Sequence, residues 1–266
     1  MKTSLMLAVA AAAALSFSAH ALPVIDAFDA STQTANLVDT TANDSGLWTV
    51  NPVSAPSIIG GFRDIFVTKT GLLPNDTGED VQARIANNGR FSFSSSNGST
   101  GQSIIRWDGA TNITPTGLVA AKGAIDPIGL QVAGVGKDLL AFGNTVQLVV
   151  TSADLGFNFA IEVYTSATQF SKLSLISGGP GTYDIPFSFF TLGGPNPPVL
   201  SLVTGGGGVD FSNVGAIQAF INTSDVVAVD MSIDIVRVIP EPGSLALVGA
   251  SLLCLAAARR RKTAQA

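Results

Sequence analysis

From residue 227 to residue 235 the chain reads Val-Ala-Val-Asp-Met-Ser-Ile-Asp-Ile, so that every second side chain is large and apolar. Side chains that alternate with a period of two fall on opposite faces of an extended strand. A helix with 3.6 residues per turn would scatter the same residues around its axis. Val227, Val229, Met231, Ile233 and Ile235 therefore predict one buried face, and Ala228, Asp230, Ser232 and Asp234 one wet face. The pattern recurs at residues 157–164, with Phe157, Phe159, Ile161 and Val163 inward and Asn158, Glu162 and Tyr164 outward. It recurs again at 183–189, where Pro186 predicts an edge strand or a bulge because proline has no N–H for the ladder. Residues 91–93 and 104–108 read as a hairpin around a polar loop at Asn97-Gly98. Further strands are expected at 24–29, 62–70, 81–86, 146–151, 172–176, 199–204 and 214–222, and only 135–142 suggests a short helix. About a dozen short strands cannot share one open sheet, so they must pack as two sheets or close into a barrel. The expected fold is all-β: an antiparallel β-sandwich, the jelly roll being one form it can take. No repeat period is evident, which disfavours a solenoid or a propeller.

The two ends do not belong to this pattern. Lys2 precedes an apolar run that ends in Ala19-His20-Ala21, the layout of a secretory signal peptide cut after an A-x-A site. Residues 1–21 are thus expected to be a signal helix that is removed, with Ala19 and Ala21 marking the cleavage site. At the other end, residues 244–258 carry no charge, and as a helix they would extend about 22 Å against a hydrocarbon core of about 30 Å. Such a helix enters a bilayer but barely crosses it. Arg259, Arg260, Arg261 and Lys262 would hold its far end at the cytoplasmic headgroups. Pro240-Glu241-Pro242 stands just outside, where two fixed φ angles and two missing N–H groups stop the last strand from running into the membrane helix.

That order of elements, with Pro240, Glu241 and Pro242 followed by an apolar stretch and a basic cluster, resembles the PEP-CTERM sorting signal of Gram-negative bacteria. The resemblance covers 239–266 and implies an exosortase, a membrane-embedded protease or transpeptidase, that removes the tail and releases or transfers the body to the cell exterior. It also implies association with exopolysaccharide. Gly243 stands where a Ser or Thr often follows the frame, which leaves the position of the cut open. A plain C-terminal membrane anchor is the alternative that the apolar stretch and arginines alone would support. The body, 22–238, is similar to exported proteins carrying this tail at residues 25–29 (Ile-Asp-Ala-Phe-Asp), 60–64 (Gly-Gly-Phe-Arg-Asp), 106–109 (Arg-Trp-Asp-Gly) and 210–215 (Asp-Phe-Ser-Asn-Val-Gly). That group brings no established activity with it.

Composition narrows the chemistry of the body. Nine Lys and Arg stand against eighteen Asp and Glu, a net charge of −9, which argues against nucleic acid. The only histidine, His20, lies in the signal peptide and the only cysteine, Cys254, in the tail. The body therefore cannot build a Ser-His-Asp or Cys-His triad, nor a zinc site made from imidazole or thiolate. Gly205 to Gly208 opens no helix and precedes no Lys-Ser/Thr, so it is not a phosphate loop.

Catalysis would fall to carboxylates, as in glycoside hydrolysis, with Glu162 and a partner such as Asp154 or Asp184. An outward charge on an alternating strand is more often simply solvated. Asp76, Glu79 and Asp80 form a weak calcium candidate, read more readily as an acidic turn. Trp48, Trp107, Tyr164 and Tyr183 could stack on sugar rings, although Trp107 alternates in register with Ile105 and is expected in the core. The sequence reading is an exported surface or matrix protein without intrinsic catalysis or cofactor, with exosortase as processing partner, transient residence in the cytoplasmic membrane, and exopolysaccharide as a further partner. The alternatives are a carboxylate-dependent glycoside hydrolase or lyase and a calcium-stabilised structural module.

Overall fold

The computed structural model describes residues 24–29, 36–41, 47–50, 55–72, 80–86, 88–109 and 117–240. In chain order the strands are β1 (Val24–Asp26), β2 (Leu37–Asp39), β3 (Leu47–Val50), β4 (Asp64–Leu72), β5 (Val81–Ala86), β6 (Arg90–Ser95) and β7 (Ser99–Trp107). They continue with β8 (Thr145–Ala153), β9 (Phe157–Tyr164), β10 (Phe170–Ser177), β11 (Gly181–Pro186), β12 (Val199–Gly205), β13 (Ala216–Ile221) and β14 (Asp230–Ile239). Two seven-stranded sheets result. Sheet A has the order β11-β8-β14-β6-β5-β2 with β1 also on β14, and sheet B has the order β12-β10-β9-β13-β7-β4-β3. All the pairings are antiparallel. The fold is a β-sandwich, as the alternation required.

The core lies between the sheets and is built from the inward halves of the alternating strands. Phe157, Phe159, Ile161 and Val163 of β9 are all buried, and so are Phe91 and Phe93 of β6 and Met231 and Ile233 of β14. In β14 the alternation then changes phase. The register with β8 slips between Ile233 and Ile235, after which Val236 and Val238 turn inward and Ile235 becomes half-buried. One extra residue at a bulge moves every later side chain to the opposite face, so strict period-two counting fails beyond it. The strand also starts later than the pattern suggested, because Ala228 takes a left-handed φ of 55°.

Two expectations are corrected. Residues 91–93 and 104–108 are not the arms of one hairpin: β6 pairs with β5 and β14 in sheet A, whereas β7 pairs with β4 and β13 in sheet B. The turn at Asn97-Gly98, closed by Ser99 N–H donating to the Ser96 carbonyl, carries the chain across the sandwich from one sheet to the other. Alternation is the same whichever sheet a strand joins, so it cannot tell a hairpin from a crossover. No helix forms at 135–142, where Gly134 has a φ of 80° and short bridges join Val132 to Val135 and Lys137 to Val214. The helices are elsewhere, α1 (Leu118–Gly123) and α2 (Phe189–Leu192).

Pro186 ends β11 at the edge of sheet A, as its missing donor predicted. The signal helix at 1–21, with Ala19 and Ala21, and the apolar and basic parts of the tail, with Glu241, Pro242, Arg259, Arg260 and Arg261, lie outside the described residues. Pro240 closes the described chain directly after β14. Among the described residues no helix is long and apolar enough to cross a membrane.

Candidate functional site

Three of the short segments singled out in the sequence meet at the end of the sandwich where β14 leaves it. Asp26, on β1 and paired with Val236 of β14, accepts Arg63 Nη1 on both carboxylate oxygens at 2.6 and 2.7 Å. It also accepts Trp107 Nε1 at 2.7 Å and the Phe28 N–H at 2.8 Å. The Arg63 guanidinium lies 5.2 Å from the centre of the Phe28 ring. Every one of these side chains is buried. Burial pushes the Asp26 carboxyl above its ordinary range, and the guanidinium, the indole and the amide pull it back. With three donors making four hydrogen bonds to one carboxylate and no exposure, the knot fastens β1, the entry to β4, and β7 together and has no free lone pair to offer a substrate.

The outer face of sheet B carries a second polar row. Asp64, Arg106, Gln218, Glu162 and Lys172 are cross-strand neighbours in register on five adjacent strands. The row is not solvated, because α1 lies across it. Arg106 donates to the carbonyls of Ala121 at 2.5 Å and Ala124 at 3.2 Å, and Gln218 donates to the Lys122 carbonyl at 3.3 Å, so the row serves the C-terminal carbonyls of that helix. Phe66, Ile104, Ala121, Ala160 and Phe220 form a small second core beneath it. Glu162 is consequently buried, accepting Gln218 Nε2 at 2.7 Å, where the sequence suggested a solvated charge. Alternation tells which face a residue takes but not whether something covers that face.

Asp64 is the anomalous member. Its side chain is buried, yet among the described residues neither carboxylate oxygen finds a hydrogen-bond donor. Burial and the neighbouring Asp108 raise its carboxyl to about 7, while Arg106 acts in the opposite sense. Asp108 in turn accepts the Asp126 N–H at 3.0 Å. Sequence reasoning gave Asp26 no role and read Arg63-Asp64 and Arg106-Asp108 as local ion pairs of no catalytic meaning; in the structure Arg63 pairs with Asp26 across 37 residues instead. The available signal was that scarce charges sit beside aromatic residues inside strands, in Phe-Arg-Asp and Arg-Trp-Asp.

The carboxylates proposed for catalysis do not converge. Glu162 is on sheet B, Asp184 is on sheet A and accepts Gln147 Nε2, and Asp154 caps the Asp230 N–H in the turn after β8. The aromatic candidates also separate. Trp107 is in the core, Tyr164 packs against Phe170 with centroids 5.4 Å apart, and Tyr183 meets Phe159 edge-on. The side chain of Trp48 lies outside the described residues. So do Asp76 and Glu79, while Asp80 uses its carbonyl to accept Ser96. Among the described residues no group of three or more His, Cys, Asp or Glu is placed to hold a metal.

Space for a ligand is found on the outer face of sheet A. A groove of about 300 Å³ is lined by Asn36, Gln82, Arg84, Ser92, Ser94, Ser152, Asp230 and Ser232, together with Phe93 and Met231. Ser92 and Ser232 face each other across β6 and β14 with hydroxyls 3.2 Å apart, and Asn36 donates to Gln82 at 3.1 Å. Phe93 and Met231 are buried, so what the groove presents is hydroxyl, amide, guanidinium and carboxylate. The void between the sheets is apolar and only about 30 Å³, too small for a ligand.

The PEP-CTERM protein-sorting motif matches residues 238–262, beginning on the last two residues of β14 and running through the frame, the apolar stretch and the basic cluster. No curated protein matches the chain. Among solved structures, a family 11 carbohydrate-binding module from Clostridium thermocellum, in complex with a β-1,3-1,4-mixed-linked tetrasaccharide, is 10% identical with a TM-score of 0.34; 82% of this chain and 95% of that one are covered. The solution structure of CtCBM11 is 9% identical with a TM-score of 0.38, covering 85% and 99%. An exo-β-agarase is 13% identical with a TM-score of 0.34, covering 66% of this chain and 22% of that one. Likenesses this distant carry no functional argument. The chain carries a sorting signal that directs export through a membrane intermediate toward the cell surface.

Proposed function

We propose that this chain is an exported protein from which exosortase removes the tail, and whose folded body then works at the cell surface or in the matrix as a polysaccharide-associated module without catalysis of its own. The observation that carries the reading is the sorting motif, whose frame follows directly on the end of β14, so that the tail beyond Pro240 can be removed without taking a strand from the sandwich. The groove on sheet A supports the second half. Hydroxyl and amide groups that both donate and accept suit a chain of sugar hydroxyls, and among the described lining residues Asp230 carries the one carboxylate. Recognition in this groove rests on hydrogen bonding, because no exposed ring lines it among the described residues.

Two measurements test this. Intact mass of the protein recovered from the envelope and medium of its native host should lack everything before residue 22 and everything after the frame; a retained tail would turn the reading into a plain anchor. Retention of the body on the host's exopolysaccharide should fall about tenfold in an Arg84→Ala/Gln82→Ala variant. Each substitution removes a side chain that could donate to the glycan, at about 0.5–1.5 kcal/mol for a neutral bond and more for a charged one. Unchanged retention would remove the groove from the proposal.

A further inference from the structure

β14 ends at Ile239, and only four residues, 240–243, separate the sandwich from the uncharged stretch that begins at Ser244. Fully extended, they span at most about 14 Å. If Ser244 enters a bilayer, the end of β14 is therefore held close to the headgroups, and whatever surrounds Ile239 faces lipid. What surrounds it is the end of a loop, residues 128–142. Asn144 N–H donates to the Ile239 carbonyl at 3.2 Å, Thr145 pairs with Ile239, and Gly143 lies so close to that carbonyl that no Cβ would fit.

This loop is unlike the rest of the surface. Among the described residues twelve large apolar side chains are exposed, and five of them belong to it: Ile128, Val132, Val135, Leu140 and Phe142. Val132 and Val135 are 71% and 68% exposed at the tip of a tight bridge, and Leu140 and Phe142 follow just before the contact with Ile239. Their exposure does not come from a loosely attached segment. Leu130 and Leu139 are buried, and the backbone is bonded to residues 211–215 at three points: Leu130 N–H to Gly215, Lys137 with Val214, and Leu139 N–H to Phe211. Gly136 N–H adds a further bond, to the Asn213 side chain at 2.6 Å. A well-anchored loop that turns its apolar side chains outward beside the exit of a membrane-directed tail is unusual for a surface that meets only water.

We infer that the 128–142 loop is a lipid-facing surface that seats this end of the sandwich on the bilayer while the tail is inserted, with Leu140 and Phe142 entering the boundary between headgroups and acyl chains. Lys137 and Asp138 balance each other's charge, so the loop carries no net charge into that boundary. Seated in this way, the body holds Pro240 at headgroup depth, where a membrane-embedded protease works. The inference rests on the reading that the tail enters the membrane.

The test uses the full chain with an environment-sensitive fluorophore on a cysteine, reconstituted into vesicles of phosphatidylethanolamine and phosphatidylglycerol containing lipids brominated at known depths. Cys254 is the only cysteine and lies in the apolar stretch, so labelling the unmodified chain reports tail insertion. In a Cys254→Ser background, Phe142→Cys and Val132→Cys report the loop. Leu155→Cys, also on an exposed leucine but in the turn after β8 at the opposite end of the sandwich, reports the far side. The expected result is a blue shift and bromine quenching at 254 and at 142 or 132, with neither at 155. Lipid contact at 254 but water at both 142 and 132 would overturn the lipid-facing surface and leave the sorting proposal standing. Water at 254 would overturn both, and equal quenching at 155 would overturn the oriented seat.

Discussion

Replacing Arg63 with methionine should lower the stability of the body by about 3–5 kcal/mol, the usual result of stripping one partner from a buried ion pair. In a domain of this size that corresponds to a fall of roughly 6–20 °C in melting temperature. The reason is geometric. Asp26 receives two of its four hydrogen bonds from Arg63, at 2.6 and 2.7 Å, and neither residue reaches solvent. Methionine fills much of the same space but leaves the carboxylate with only the Trp107 indole and the Phe28 amide. Asp26 would then take up a proton more readily, because burial already pushes its carboxyl upward and the guanidinium is a principal opposing influence. The loss in the variant should therefore grow as pH rises. A double change, Asp26→Leu with Arg63→Met, should recover a large part of it, since a pair replaced as a whole leaves no orphaned charge. Thermal melts of the three proteins at two pH values check this. A loss below 1 kcal/mol for Arg63→Met would show that Asp26 does not depend on its partner.

Asp64→Asn should have the opposite sign at alkaline pH and remove a pH dependence from the fold. The carboxyl titrates at about 7 in the folded protein against an ordinary value of 3.8, so the folded state binds a proton that the unfolded chain has released. Stability then falls as pH rises between about 4 and about 7 and is flat on either side. Between pH 5 and pH 8 the group accounts for about 3 kcal/mol, taking 1.36 kcal/mol for each pH unit within that window. The charged groups facing it are Arg106, which favours the ionised form, and Asp108, which opposes it. Asparagine keeps the shape without the titration. Urea unfolding of both proteins at pH 5 and pH 8 should show the difference between them shifting by that amount in favour of the variant at pH 8. Parallel behaviour at the two pH values would mean that Arg106 holds Asp64 ionised throughout.

Both residues come from a segment that reads in the sequence as no more than a local ion pair. Phe-Arg-Asp at 62–64 and Arg-Trp-Asp at 106–108 each place two charges beside an aromatic ring in a body that has few charges to spend. The composition of those tripeptides hinted at burial, but their partners were out of reach: Arg63 and Asp26 are 37 residues apart, and Trp107 and Asp26 are 81 apart. The groove on sheet A was less legible still. Its lining comes from four strands and the residue before β2, and serine, glutamine and asparagine on a wet face look alike whether or not they border a depression.

The chain alone determined the elements whose cause is local. Alternation marked β9, the first half of the 183–189 run and most of β14, although that run ends as a strand at Pro186 and Phe189 opens α2; proline set β11 at an edge, and the order of frame, apolar stretch and basic cluster identified the sorting signal, which matches at 238–262. Each depends on residues within a few positions of one another, where backbone geometry leaves few choices. Tertiary structure decided the rest: that β6 and β7 part company into different sheets, that α1 buries Glu162 on a face expected to be wet, and that Asp26, Arg63 and Trp107 close into one knot. Those outcomes come from packing between residues far apart in the chain, where the free energy of covering one surface with another selects the partner and no periodicity records the choice.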